Sequence, residues 1–211
     1  MVYFEAMTVA DSITDVGARR VRMTEAEFLA LEEKRVEWVE GEVVCMSPVS
    51  LSHALVMSWI VERMNRLIRL GRGGIVFPDS VSVRLGAGLI RVPDVSYVGV
   101  KRARILRDTY IDGPPDLVVE VVSAESRARD YRVKYAEYLS AGVQEYWIVD
   151  PLYQAVDAHR LVEEVGAGKY VPIVPVAVDG AGEGGEIRSE VLPGFVLRPE
   201  WLKQTPLPVG E

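Results

Sequence analysis

The feature that most constrains the fold of this chain is the apolar run Leu-Val-Val-Glu-Val-Val at residues 117–122. A run of branched aliphatic residues of this length is typical of a β-strand that is buried on both faces of a sheet. Alternation along such a strand places Glu120 on the same face as Val118 and Val122. The sequence therefore predicts a sheet covered on both sides, with one acidic side chain inside it.

The segments around this run predict an α/β (α+β) fold with a mixed sheet. Apolar residues recur at helical spacing over 53–70, and a second helix is predicted over 127–141, where Gly142 ends it. The central order is helix, strand, strand, strand, helix, strand, and residues 101–115 are interpreted as a loop. The predicted strands are 75–77, 80–85, 89–98, 117–122 and 145–149.

Further strands are predicted towards both ends. The sequence indicates an N-terminal β-hairpin over 35–46 with its turn at Glu40-Gly41. Weaker strand signals at 171–178 and 186–191, around a glycine-rich turn, predict a C-terminal strand extension. We expect three regions along the chain: an arm at 1–22, a single domain at 23–205 and a tail at 206–211.

Composition restricts the kind of metal site that the chain can form. Its 211 residues include one cysteine, Cys45, and two histidines, His53 and His159. A zinc site built on cysteine is excluded, and a histidine-rich site is unfavourable. Any metal ion would therefore be held by oxygen ligands.

The sequence also indicates the compartment. No apolar run approaches the length of a membrane span, and the N-terminus has no basic start followed by an apolar core. We expect a cytoplasmic protein without a membrane partner.

Charge is distributed unevenly along the chain. The formal net charge of −7 argues against a nucleic-acid partner, because such proteins are usually basic. Residues 60–135, however, carry 14 Lys+Arg and 9 Asp+Glu, a net charge of +5, and the remainder carries −12. Phosphate binding depends on local charge, so the basic middle permits it; the alternative is a solvated surface of salt bridges.

Glu120 is the most informative single residue. A carboxylate inside a buried strand must be paired, protonated or bound to a cation, because a lone buried charge costs too much free energy. One interpretation is a structural ion pair with an arginine. The other is a functional site, since buried carboxylates often mark such sites.

Two further residues have both a structural and a functional interpretation. Asp94 follows Pro93, which cannot donate a ladder hydrogen bond and so marks an edge, a bulge or a strand start. Asp94 is either a turn-forming residue or a side chain aimed at a site. Lys134 lies four residues after Asp130, and is either half of a surface salt bridge or a cation that faces the carboxylates.

Several short stretches, taken in their order along the chain, resemble the bacterial Uma family of restriction-endonuclease-like proteins, within the PD-(D/E)XK nuclease superfamily. The resemblance runs from about Met23 to Trp201. The matching stretches are MTEAEFL (23–29), VEWVEGEV (36–43), SPVSLSH (47–53), VPDV (92–95), PDLVVEVVS (115–123), Asp130 with Lys134, AGVQEYWIVDP (141–151) and VLPGF (191–195).

The resemblance implies a restriction-endonuclease-like αβββαβ core and a Mg²⁺- or Mn²⁺-dependent endonuclease that hydrolyses phosphodiester bonds in DNA. Hard oxygen ligands suit these ions. It implies that Asp94 and Glu120 hold the metal, with the backbone carbonyl of Val121 as a third ligand. Val122 occupies the position where the motif carries lysine. The resemblance implies that Lys134 replaces it as the third catalytic residue, after Asp94 and Glu120.

Other positions are expected around this site. The secondary candidates for the site, at positions that match the family, are Glu37, Glu42, His53 and Asp130. Contacts with nucleic acid are expected from Arg91, Arg127, Arg129 and Arg132.

Two other functions compete with catalysis. Because Val122 departs from the motif, the chain could be a catalytically silent nuclease-like fold that binds nucleic acid or a protein partner. It could also be an oligomer subunit, with Trp38, Tyr110 and Tyr153 exposed at an interface. We expect a homodimer or a higher homo-oligomer.

Overall fold

The computed structural model describes residues 21–31, 35–164, 167–178, 185–204 and 206–208. The predicted N-terminal arm up to residue 20, the turn at 180–184 and the last three residues of the predicted tail lie outside the described residues. Within them, the α-helices are α1 Glu25–Leu29, α2 Leu51–Leu67 and α3 Tyr135–Ala141. Segments of π-helix extend α2 over Ile68–Arg72 and precede α3 over Arg129–Lys134.

The strands form two main sheets and one small pair. Sheet 1 has the order β2-β1-β5-β4-β7, sheet 2 has the order β11-β10-β9-β8-β6-β3, and β12 pairs with β13. The strands are β1 Val36–Val39, β2 Glu42–Cys45, β3 Ile75–Pro78, β4 Ser82–Gly86, β5 Leu89–Arg91, β6 Val95–Val98, β7 Tyr110–Asp112, β8 Leu117–Val121, β9 Glu145–Asp150, β10 Ala155–Glu164, β11 Ala167–Pro172, β12 Ile187–Arg188 and β13 Val196–Leu197. Short 3₁₀ helices lie at Val100–Ile105 and Pro199–Lys203.

Sheet 2 is mixed, as predicted, because β8 and β9 are parallel whereas the other pairs are antiparallel. All five residues of β8 are buried, which confirms the strand covered on both faces. On one face, Val119 and Val121 belong to the core cluster that contains Ile60 and Met64 of α2. On the other, Val118 and Val122 belong to the cluster that contains Tyr138 of α3. The predicted alternation around Glu120 is therefore correct.

The predicted strand at 89–98 is wrong in one respect that matters for the site. It is two strands, β5 in sheet 1 and β6 in sheet 2, separated by Val92, Pro93 and Asp94. Pro93 has no N–H for a ladder, so the chain leaves one sheet there and enters the other. Asp94 thus lies at the crossing between the sheets, immediately before β6.

Other predictions also need correction. The expected loop at 101–115 contains a 3₁₀ helix and β7, and the ten-residue strand β10 was not predicted. Within the helix predicted over 53–70, α2 buries His53, Val56, Ile60 and Met64, whereas Leu55 is 57% exposed. Trp38 is buried, and its Nε1 donates to the Met23 carbonyl at 2.9 Å, so it cannot be part of an exposed aromatic surface.

Candidate active site

Asp94 is held against the end of β8 by the strand register. β6 pairs antiparallel with β8, with Val95 opposite Val119, so continuing the register by one residue brings Asp94 alongside Glu120. Its Oδ2 accepts the Val121 N–H at 2.7 Å, where a backbone carbonyl would otherwise continue the ladder. The side chain is buried. Asp94 is therefore more than a turn-forming residue, because it fixes one carboxylate beside the acidic residue of β8.

Glu120 has a partner at each oxygen. The Tyr138 hydroxyl donates to Oε1 at 2.7 Å, and the Lys134 ammonium lies 2.8 Å from Oε2. Both partners come from the π-helical segment and α3, which cover this face of sheet 2. The charged partner is thus a lysine, not the arginine that a structural ion pair suggested. Lys134 is 2% exposed and faces the carboxylates, so it is not a surface residue.

Four carboxylates act on this one lysine, those of Glu120, Glu37, Asp130 and Asp94. Lys134 Nζ also lies 3.4 Å from Asp130 Oδ1, and the charges of Asp94 and Asp130 both act on Glu120. Burial raises the pKa of Glu120 above its ordinary value, because the charged form is poorly solvated, while the charge of Lys134 opposes the rise. Burial disfavours a charge on Lys134, yet Glu120, Glu37 and Asp130 raise its pKa above the ordinary value. The ammonium stays charged, and the cluster has more negative than positive groups.

Two of the secondary candidates, His53 and Asp130, lie beside Asp94, Glu120 and Lys134. His53 lies in the first turn of α2, which Ser50 caps by accepting the His53 N–H at 3.2 Å. Its Nε2 is 3.1 Å from Asp94 Oδ1. Asp130 is buried in the π-helical segment, and its backbone carbonyl accepts the Tyr146 hydroxyl at 3.0 Å. The four-residue spacing within this segment puts Asp130 and Lys134 on one face, beside Glu120.

Glu37 and Glu42 have different positions. Glu37 is fully buried in β1 and accepts from Arg91 at 2.8 Å and from the Val92 N–H at 3.3 Å. It acts on the site through its charge, which contributes to the raised pKa of Lys134. Glu42, on β2, pairs with Arg22 at 2.8 Å and does not line the cavity described below.

Arg91 does not fit its predicted role as a nucleic-acid contact. It is 4% exposed, and its guanidinium bonds Glu37 of β1 and both carboxylate oxygens of Glu137 in α3, at 2.6 and 2.9 Å. All three side-chain nitrogens are therefore engaged inside the protein. Arg91 joins sheet 1 to α3 and is not available to a phosphate group.

The carboxylates open onto a cavity of about 610 Å³. Arg129 lines it, whereas Arg132 is exposed outside it, and Arg127 lies near its mouth, paired with Asp150. The cavity also contains a cation that sequence reasoning missed: Arg35, which pairs with Asp79 at 2.7 Å. No pattern around Arg35 signals this position, because the fold alone brings the start of β1 to the site. The ionisable residues that line the cavity are Arg35, His53, Asp94, Glu120, Glu125, Arg129, Asp130 and Lys134.

The donor set fits a hard divalent cation. Asp94 and Glu120 are adjacent oxygen donors at one cavity wall, in a cluster with excess negative charge. Within the described residues there is no group of three or more His, Cys, Asp or Glu side chains that could hold a metal. Mg²⁺ is commonly held by one or two carboxylates that leave other positions to water and phosphate oxygens. Two carboxylates are therefore a sufficient protein contribution.

Comparison with known proteins places the chain in a family. The model of the Uma2 family, described as "Putative restriction endonuclease", matches residues 25–200. The chain belongs to the Uma2 family. A nuclease-like function follows at this coarse level, and the family to which the sequence was compared is confirmed.

A solved structure supports the fold. The chain is 20% identical to a protein of Anabaena variabilis ATCC 29413 titled as a "putative nuclease belonging to DUF820", with a TM-score of 0.63. The match covers 85% of this chain and 97% of that one. A search of curated proteins found no match. No helix among the described residues has the length and apolar composition to cross a membrane.

Proposed function

We propose that this Uma2 protein is a Mg²⁺- or Mn²⁺-dependent endonuclease that hydrolyses phosphodiester bonds in DNA. The observation that carries the proposal is the contact of 2.8 Å between the buried Lys134 ammonium and Glu120. Val122 leaves the lysine position of the motif aliphatic, and it packs in the core. A lysine from the following helical segment supplies the missing cation to the same carboxylate.

Asp94 and Glu120 would hold the metal, with the Val121 carbonyl as a third ligand. Bound there, the ion would polarise the phosphate and lower the pKa of a water molecule. The protein's own groups orient the two carboxylates: the Val121 N–H fixes Asp94, and the Tyr138 hydroxyl fixes Glu120. Burial and the charge of Glu120 raise the pKa of Tyr138 well above its ordinary value, so this hydroxyl keeps its proton and donates.

The cations have separate roles in this proposal. Lys134 keeps a positive charge beside the carboxylates, where it would orient the attacking water and offset negative charge on the phosphate in the transition state. Arg129 and Arg35 line the same cavity and would contact the phosphate groups that flank the cleaved bond. His53 orients Asp94 from the opposite side.

The test is Mg²⁺- or Mn²⁺-dependent nicking of supercoiled plasmid DNA by the purified full chain. We expect Asp94→Asn, Glu120→Gln and Lys134→Met each to reduce the rate at least about a hundredfold, since each removes a group that stabilises charge in the transition state. Glu42→Gln is the matched control, because it neutralises a carboxylate of the same family pattern that lies outside the cavity.

Two results would contradict the proposal. Nicking that survives in folded Glu120→Gln protein would remove the assignment of the site. A wild-type chain that binds DNA yet cleaves neither plasmid nor single strands with either metal would favour the catalytically silent fold. Thermal unfolding of each variant separates lost catalysis from lost structure.

A further inference from the structure

The turn after β9 carries two exposed side chains with apolar surface, and one of them lies at the cavity. Leu152 and Tyr153 are each 66% exposed, and Leu152 lines the cavity. Their backbone N–H groups both donate to Oδ1 of Asp150, at 3.0 Å each, and Asp150 is 1% exposed. A buried carboxylate thus fixes the backbone of the turn that presents both side chains to solvent.

Tyr153 is the end of a column of planar groups. The Arg127 guanidinium carbon lies 4.5 Å from the centre of the Tyr153 ring and 4.9 Å from the centre of the Tyr131 ring. The two groups beneath Tyr153 are held in place, because the Tyr131 hydroxyl donates to Asp157 at 2.5 Å and Arg127 pairs with Asp150. Since Arg127 covers one ring face of Tyr153 and the residue is still largely exposed, the other face is open.

The cavity that Leu152 lines also holds a charged group suited to a phosphate. Arg129 is partly buried there, and its Nε has no hydrogen-bond partner within the described part of the chain. A buried donor without a partner is costly unless a ligand satisfies it. An open aromatic face thus adjoins Leu152 at the cavity, and the cavity itself holds an unsatisfied cationic donor. These are the two kinds of group that bind a base and its phosphate in single-stranded nucleic acid.

We propose that the open face of Tyr153 stacks with an unpaired base of single-stranded DNA, beside Leu152, as the strand enters the cavity. The proposal rests on the proposed nuclease function and narrows its substrate to unpaired or locally melted DNA. A base within a duplex is stacked on both sides, so its face is not available to Tyr153. A stacking contact with an unpaired base tolerates any sequence, because every base has a π-face.

The test is fluorescence anisotropy with the full chain, in EDTA so that cleavage does not interfere, on a labelled single strand and on the duplex of the same sequence. We expect Tyr153→Ala to weaken binding of the single strand at least about fivefold, the lower end of the loss seen when a base-stacking aromatic is removed. Binding of the duplex should change less than about twofold. Tyr153→Phe keeps the ring and should bind like the wild type.

A second pair of variants, at Leu152 and Leu70, provides a matched control. Leu152→Ala should weaken single-strand binding, whereas Leu70→Ala should not, although Leu70 is 70% exposed, because it lies at the far end of α2. The proposal would be overturned if Tyr153→Ala lost as much affinity for the duplex as for the single strand, or lost no affinity at all. It would also be overturned if the wild type bound neither form of DNA. If Tyr153→Ala instead changes the sedimentation coefficient, Tyr153 packs against a second copy of the chain and the proposal fails.

The outcomes of this binding test can be told apart from the outcomes of the nicking test of the proposed function. If Glu120→Gln abolishes nicking while Tyr153→Ala binds single strands normally, the nuclease assignment stands and the stacking surface is wrong. If the stacking contact is found but no metal supports cleavage, the surface is right and the protein only binds DNA.

Discussion

In the proposed function, Lys134 would have a structural role and a catalytic role at once. It is 2% exposed among Glu120, Asp130 and Asp94, so its charge offsets the repulsion of a cluster that would otherwise be strongly unfavourable. The same position puts a cation where a phosphate would meet the carboxylates. Because one side chain would serve both needs in the proposed function, loss of activity on substitution has to be separated from loss of stability.

A double-mutant cycle of Glu120 and Lys134 makes that separation. We expect Lys134→Met to lower the free energy of unfolding by about 3 to 5 kcal/mol, because it leaves buried carboxylates without their cation. In Glu120→Gln/Lys134→Met the closest of these carboxylates is neutral, so the double variant should be at least about 1 kcal/mol more stable than the sum of the single effects predicts. Urea denaturation measures this. Additive effects would mean that the contact of 2.8 Å is not a coupled ion pair in solution.

At this scale the sequence singles out Glu120 and Asp94 as candidate site residues, because each violates a local rule. Glu120 interrupts an aliphatic strand, and Asp94 follows a proline inside a strand-like segment. Lys134 needed the family resemblance, because its spacing from Asp130 equally fits a surface pair. Arg35 could not be found, and Arg91 was misplaced, because burial of an arginine depends on which acidic residues the fold brings to it.

At the scale of elements, β10 shows why a strand can escape prediction. Its ten residues include Asp157, His159, Arg160, Glu163 and Glu164, so the polar content hides the alternation. It forms because β9 on one side and β11 on the other supply its hydrogen bonds. The short β7 likewise forms only because β4 lies beside it. Pairing partners distant in sequence decided these elements, whereas β8 was predictable from its own residues.

His159 gives β10 a pH-dependent contribution to stability. Its ring packs edge-on against Tyr135, and burial lowers its pKa below the ordinary value of about 6.5. The unfolded chain therefore takes up a proton at a higher pH than the folded chain does, so folding becomes less favourable as pH falls below about 6.5.

The comparison that tests this uses His159→Gln in urea denaturation at pH 7.5 and pH 5.5, with EDTA present. Carboxylates titrate in both proteins, so only the difference between them reports on the histidine. We expect the wild type to lose more unfolding free energy between the two pH values than the variant loses. Equal losses would indicate that His159 has the same pKa in the folded and unfolded chains.

At the scale of the molecule, net charge is a poor guide to the partner, and so is charge counted along the sequence. The segment 60–135 is basic, yet Arg91 within it is buried between Glu37 and Glu137, and Arg69 pairs with Glu62 on the surface. Only some of its cations lie at the cavity. A protein with a charge of −7 can still bind a phosphate chain if those few cations face it.

The salt dependence of DNA binding shows whether the cations at the cavity or all the cations of the basic segment 60–135 attract the DNA. Arg129 lines the cavity, whereas Arg69 lies in the same basic segment but roughly 24 Å along the helix from His53, at 1.5 Å per residue. Each phosphate contact contributes a slope of about −0.7 for single strands, or −0.9 for duplex, to a plot of log K against log salt concentration. We expect Arg129→Gln to weaken binding and to reduce the slope by about one such contact, and Arg69→Gln to change neither. If both variants lower the slope equally, the long-range field of the basic segment, not the cavity, attracts the DNA, and the proposed path of the strand past Arg129 is wrong.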